Sequence, residues 1–192
     1  MADKSETAVR RRPRADGERN RSRLLEAAKA AFAEKGSAAS LDEIARAAGV
    51  GIGTLYRHFP TRDALIEAVY RKESEQLLAE AARLGETEAP VSALREWLLL
   101  FVDYMGAKRG MSEALNSIVG GGSQIKAASG ARLKQAIATL VEKAVAKGDI
   151  RLEMEPLDLL YALAGVANTT AESKKAARRL VDILIAGMRT RS

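Results

Sequence analysis

Apolar positions recur at three- and four-residue spacing over most of the chain, the period of a helix packed along one face. Leu24, Leu25, Ala28, Ala31 and Phe32 share a face of a first helix over about Arg19–Lys35, which Gly36 ends. The most sharply patterned stretch follows, from Ser40 to Phe59. Ser40 is suited to cap a second helix over Leu41–Ala48, with Glu43 placed to return a bond to the Ser40 amide. Ile44 and Ala48 give that helix an apolar stripe, and Ala45 is small where another helix must come close. Gly49 supplies the left-handed residue that ends a helix, and Val50 follows as a buried turn residue. A third helix spans Ile52–Phe59, with Leu55 and Phe59 turned inward, and Pro60 forbids its continuation.

Downstream the same period persists. Thr61 is positioned to cap a long fourth helix whose apolar side is Leu65, Ile66, Val69, Tyr70 and Leu77, with Gly85 expected to end it near residue 84. The polar stretch 86–90 marks a domain boundary, and Pro90 suits the first turn of the next helix. Further helices are predicted over 91–108, 112–119, 124–147 with a possible break at Ser129–Gly130, 156–169 and 173–189. The expected fold is therefore all-α. Residues 1–17 are expected to form a basic disordered arm, 18–85 a first helical domain with its connecting helix, and 86–192 a second helical domain.

Composition supports helices and narrows the chemistry. Apolar residues make up 47% of the 192 but aromatics only 4%, and Ala and Leu dominate. Without cysteine there is no disulfide, no thiolate catalysis and no Cys-based metal site. The single histidine, His58, cannot build a metal centre or a triad with a second base, so no cofactor and no metal are expected. The Gly120–Gly122 run lacks the strand before it and the Lys-Ser/Thr after it that a phosphate loop needs, and reads as a connector. No apolar run is of membrane-spanning length and the first ten residues lack a signal-peptide core, which points to a cytoplasmic protein.

Charge placement changes the picture more. Residues 1–62 hold 13 Lys/Arg against 8 Asp/Glu, whereas the remainder hold 18 against 17. The excess sits at the end that carries a helix, a glycine turn and a second short helix, which together make a helix-turn-helix. The second helix of such a motif enters the DNA major groove. With Leu55 and Phe59 inward, Ile52, Gly53, Thr54, Tyr56, Arg57 and His58 face the groove or its walls. Thr54, Tyr56 and His58 carry phosphate donors, and Arg57 is suited either to a guanine edge or to a phosphate. Gly51 and Gly53 allow close approach, and Ile52 can touch a thymine methyl. Arg10, Arg11, Arg12 and Arg14 are placed either to follow the backbone and a narrow minor groove or simply to solubilise the tail.

The run Gly51-Ile-Gly-Thr-Leu-Tyr-Arg-His-Phe-Pro60, then Thr61, Arg62 and a helix opening Asp63-Ala-Leu-Ile66, closely resembles the DNA-binding domain of TetR-family transcriptional regulators over roughly Arg19–Tyr70. The resemblance implies that Thr54, Tyr56 and His58 clamp the DNA backbone and that Arg62 stands where a phosphate-binding cation is usual. Ser40 and Leu41, at the start of the second helix, complete the set of expected DNA contacts. It also implies a small-molecule pocket in the second domain and pairing of the last two helices with those of a second copy.

Trp97, Phe101, Tyr104 and Met105 share one helix face, which fits either ordinary core or the wall of a pocket whose polar tips are Tyr104, Asn116, Gln124 and Tyr161. The last two helices carry broad apolar faces: Leu157, Leu160, Tyr161, Ala164 and Val166 on one, and Ala176, Leu180, Ile183, Leu184 and Gly187 on the other. That is more than one copy can bury, so a homodimer through these helices is expected. The function that results is a sequence-specific DNA-binding regulator, a repressor released from a near-palindromic operator by a small molecule. The alternative is a DNA-binding regulator or architectural protein without an effector. An enzyme finds no motif to stand on.

Overall fold

The computed structural model describes residues 12–111, 115, 122–167 and 171–190, with the side chains of 12–14, 107, 109, 110, 122–126 and 171 left aside. Arg10, Arg11, Asn116 and the expected helix over 112–119 therefore lie outside the described residues, as do the side chains of Arg12, Arg14 and Gln124. Eight α-helices occur among the described residues, and the all-α expectation holds: α1 Arg12–Lys35, α2 Leu41–Ala47, α3 Ile52–His58, α4 Arg62–Thr87, α5 Pro90–Gly110, α6 Gly122–Ala146, α7 Pro156–Ala167 and α8 Ala171–Met188. A short 3-10 turn, Gly36–Ala38, links α1 to α2.

α1, α2 and α3 form the head. Leu24, Leu25, Ala28 and Phe32 of α1 pack with Ile44, Ala45 and Ala48 around Leu55 and Phe59, all buried. The hinge of the motif forms as its glycine requires. Gly49 has φ +66°, its N–H donates to the Arg46 carbonyl at 3.0 Å, and the Val50 N–H donates to the Ala45 carbonyl at 3.0 Å. That pair of bonds is the Schellman closure. Thr61 caps α4 as expected, accepting from the Ala64 N–H at 3.0 Å.

Four expectations are corrected. α1 begins at Arg12, not Arg19, so residues 12–17 are helical rather than part of a disordered arm. Pro13 is tolerated in a first helical turn, and Asp16 pairs with Arg19 one turn on. α4 runs through Gly85 to Thr87, because the Gly85 carbonyl accepts from the Lys143 ammonium at 2.8 Å and the closing bond comes later, from the Glu88 N–H to the Leu84 carbonyl. α6 passes Ser129–Gly130 unbroken. The roughly 1 kcal/mol that a mid-helix glycine costs is offset by the buried stripe Leu133, Ile137, Leu140, Val141 and Ala144.

The fourth correction concerns connection. The sequence marks α4 as the connecting helix, yet α1 also packs on α5, and the buried residues form one continuous core. In the body α4, α5 and α6 pack on one another, and α5 supports α7 and α8. A β-bridge between Ile150 and Arg189 pins the chain end to the loop after α6. The Thr190 hydroxyl adds a bond to the Gly148 carbonyl at 2.7 Å. Among the described residues no helix is long and apolar enough to cross a membrane.

Candidate DNA-binding head and candidate effector pocket

On α3 the split between inner and outer faces is clear. Leu55 is fully buried and Phe59 nearly so, while Gly51, Gly53, Tyr56 and Arg57 are exposed. Ile52, Thr54 and His58 are half-buried, and Ile52 and Leu41 lean on the core. Thus α3 gathers Thr54, Tyr56, Arg57 and His58 on one seven-residue helix. Arg57 donates to the Thr54 hydroxyl at 2.9 Å, which leaves the Thr54 O–H and the remaining Arg57 N–H groups as donors. His58 borders a cleft with Arg21, Phe59 and Arg71, and the Arg21 guanidinium lies 5.3 Å from the Phe59 ring centroid.

A Cβ built on Gly51 or Gly53 meets nothing within 4 Å. Nothing inside the molecule therefore demands glycine there, and both leave the start of α3 open to close approach. Gly53→Ala is expected to stabilise the free protein by up to about 1 kcal/mol while weakening DNA binding. Thermal melts and DNA titrations of the same variant check the two signs.

Ser40 and Arg62 follow their expected roles only in part. Ser40 occupies the N-cap position, but its hydroxyl makes no capping bond. Glu43 accepts from the Ser40 backbone amide as expected and also pairs with Lys35 at 2.9 Å. That hydrogen bond and charge lower the Glu43 pKa, with the Ser40 backbone amide a smaller contributor. Arg62 donates to the Ala39 carbonyl at 2.5 Å and the Ser37 carbonyl at 2.8 Å, and its guanidinium sits 5.2 Å from the Phe32 ring centroid. It braces the α1–α2 connection from α4 with two of its five N–H donors. Arg62→Ala is expected to cost about 2 kcal/mol, read as a lowered denaturant midpoint in the absence of DNA.

The aromatic stripe of α5 is core. Trp97 is fully buried, its indole N–H donates to the Leu77 carbonyl at 2.9 Å, and its ring stacks on Phe101 with centroids 6.1 Å apart. Tyr161, expected beside this stripe, is 66% exposed on the outside of α7. Met105 packs against the core half-buried. Among the described residues Trp97 and Phe101 thus pack on each other and on α4, while Tyr161 faces away from them. Tyr104 is the exception: it is buried, yet it lines a cleft between α1, α4 and α5. Its hydroxyl is closed off from solvent beside the Tyr70 phenol. Burial first, then the nearby Tyr70 phenol and the Glu73 carboxylate, push its pKa far above that of a free tyrosine.

Two ion pairs not anticipated from sequence join α1 to α4. Lys29 meets the buried Glu73 at 2.6 Å, and Lys72 meets Glu26 at 2.6 Å. Glu73 could have been noticed, since it lies in register with Ile66, Val69 and Leu77 on the apolar side of α4.

Comparison with known proteins now decides the family. Residues 24–69 match the model of bacterial regulatory proteins of the tetR family, and residues 89–190 match that of the SbtR-like transcriptional regulator C-terminal domain. A TetR transcriptional regulator from Streptomyces coelicolor is 41% identical, with a TM-score of 0.81 over 90% of this chain and 99% of that one. The chain belongs to the TetR family. A second structure, a TetR regulatory protein from Mycobacterium vanbaalenii, is 32% identical with a TM-score of 0.76, covering 92% of this chain and 99% of its own. This TetR-family regulator is also 37% identical over 86 residues to the Escherichia coli K12 transcriptional regulator UidR, a match spanning 44% of this chain and 38% of UidR. The Mycolicibacterium smegmatis repressor LfrR is 40% identical over 76 residues, 40% of each chain. The chain thus spans only about two fifths of the length of these curated relatives. The match to the C-terminal model extends the relationship beyond the helix-turn-helix, where the sequence alone offers only length and helix pattern.

Proposed function

We propose that this TetR-family regulator is a cytoplasmic repressor that binds a near-palindromic operator as a homodimer and is released by a small molecule. The observation that carries the reading is the outer face of α3, where Thr54, Tyr56, Arg57 and His58 stand together beside two unobstructed glycines. Thr54, Tyr56 and His58 act on phosphates, and Arg57 reads a base edge. Ser40 and Leu41 approach the backbone from the start of α2. Arg10, Arg11, Arg12 and Arg14 supply further positive charge.

Dimerisation is supported by what α7 and α8 leave uncovered. α8 spends Ala177, Val181, Ile185 and Met188 on its own core, leaving Ile183 and Gly187 exposed and Ala176, Leu180 and Leu184 half-buried. α7 likewise buries Leu159, Leu160, Leu163 and Ala167 and leaves Tyr161 and Val166 exposed and Leu157 and Ala164 half-buried. Two copies joined here would present two α3 helices to half-sites about one helical turn apart. An effector that favours a dimer with wrongly spaced heads would then lower operator affinity, a coupling of typically about 1–3 kcal/mol.

Tyr56→Phe tests the assignment on α3. It is expected to weaken binding to operator and random DNA alike in fluorescence titrations, and altered sequence preference would contradict the phosphate role. Removing residues 1–11 is expected to flatten the plot of log affinity against log salt. An unchanged slope would exclude Arg10 and Arg11 from the DNA interface.

A further inference from the structure

α4 and α6 run in the same direction and touch at two places. The Ser129 hydroxyl of α6 lies 3.5 Å from that of Ser74, and the Lys143 ammonium donates to the Gly85 carbonyl at 2.8 Å. The second contact is tight: a Cβ added at Gly85 would meet the Lys143 Nζ at 3.2 Å and the Leu140 Cδ2 at 3.5 Å. Between the two, the surface opens into a groove of about 370 Å³, within the range of small-molecule sites. Its apolar lining is Leu78, Ala81, Ala82 and Gly85 of α4 with Ala136 and Leu140 of α6. Four of these six carry no atom beyond Cβ, which makes a narrow trough, and Leu78 and Ala136 are left half-buried along it.

The charges in the lining say what kind of molecule the trough suits. Glu86, Arg132 and Lys143 are the three charged groups there. Lys143 is held by the Gly85 carbonyl, at the end where Glu86 also lies. Arg132 stands eleven residues before Lys143 on the same helix, about 16 Å away along its axis. It is exposed and makes no hydrogen bond or ion pair among the described residues, so its guanidinium fork is open. A planar fork of that kind fits a carboxylate with two parallel bonds. From Arg132 the apolar trough leads toward Gly85, and an extended chain of about eight carbons, about 9 Å long at ordinary bond lengths, lies within it.

We propose that this groove binds a small unbranched carboxylate, its charge paired with Arg132 and its alkyl chain laid along Leu78, Ala81 and Ala136. Such a molecule touches α4, the helix that continues from the head, and α6 of the body at once. Its consequence for DNA rests on the effector-release reading above; the binding itself does not.

The test uses the full chain with ¹³C-labelled alanine methyl groups and octanoate, below its micelle concentration, as the probe. The signals of Ala82 and Ala136 in the groove, and of Ala47 on α2, are assigned by single Ala→Ser variants. Those of Ala82 and Ala136 are expected to move saturably while that of Ala47 stays. Octanol and octylamine, with the same chain and a neutral or positive head, should bind about fivefold more weakly, the upper end for an exposed ion pair. Arg132→Gln, at an exposed position, should bring octanoate down to the affinity of octanol. Ala82→Trp, which fills the trough from its exposed side, should abolish the Ala136 response. Ala82 and Ala136 signals unmoved by octanoate overturn the proposal. So does equal binding of the three compounds, an unchanged octanoate affinity in Arg132→Gln, or an unaltered response in Ala82→Trp. Operator affinity measured with the same probe separates the two readings. An Ala136 shift without loss of operator affinity supports the site and counts against effector release. Loss of operator affinity without an Ala136 shift supports release and overturns this site.

Discussion

Ile183→Asp is expected to convert the protein to a monomer and to lower operator affinity by about 10²–10⁴-fold, because the second half-site contact ceases to be intramolecular. Ile183 is 66% exposed in the single chain, so the carboxylate meets water in the monomer and the helix itself is not strained. In a dimer the same carboxylate would lie against an apolar surface, unpaired, where burial of a charge is strongly unfavourable. The lost contribution is also apolar, since covering a side chain such as Ile183 or Tyr161 is worth about 1.5–3 kcal/mol. Sedimentation and anisotropy on one preparation check both halves of the expectation. A variant that stays dimeric would place the interface elsewhere than on α7 and α8.

Trp97→Ala is expected to cost about 3–5 kcal/mol, a large share of the 5–15 kcal/mol by which a folded domain is usually stable. The substitution leaves a cavity where α4 meets α5, strands the Leu77 carbonyl that Trp97 now satisfies at 2.9 Å, and removes the stack on Phe101. For a chain of this size the melting temperature should fall by roughly 10 °C. Circular dichroism is the suitable readout, since Trp97 is the only tryptophan. A fall of a degree or two would mean that the stripe is loosely packed, as the wall of an open pocket would be.

The helix-turn-helix was legible because its signals are local. Gly49, the inward pair Leu55 and Phe59, Pro60 and the Thr61 cap all act within a turn or two of where they stand, and the structure places each as its chemistry requires. What the sequence missed depends on partners far along the chain. Arg62 is claimed by carbonyls 23 and 25 residues earlier, which no local pattern announces. Gly85 fails to end α4 because its carbonyl is held by Lys143, 58 residues later. Tyr161 shares a period with buried neighbours, yet the turn of α7 sets Leu159, Leu160 and Leu163 inward and Tyr161 out. A 3.6-residue period identifies a helix with two apolar faces but cannot say which face goes to the chain's own core. Periodicity also left open whether Trp97 and Phe101 pack or line a pocket, a choice made by α4 lying against them.

Fluorescence anisotropy of the purified protein on DNA from its own upstream intergenic region, against scrambled DNA at two salt concentrations, tests the central claim most directly. A DNA-reading dimer predicts tight, sequence-selective binding of two protomers per site that weakens steeply as salt rises. Weak binding of equal strength to both DNAs would contradict it.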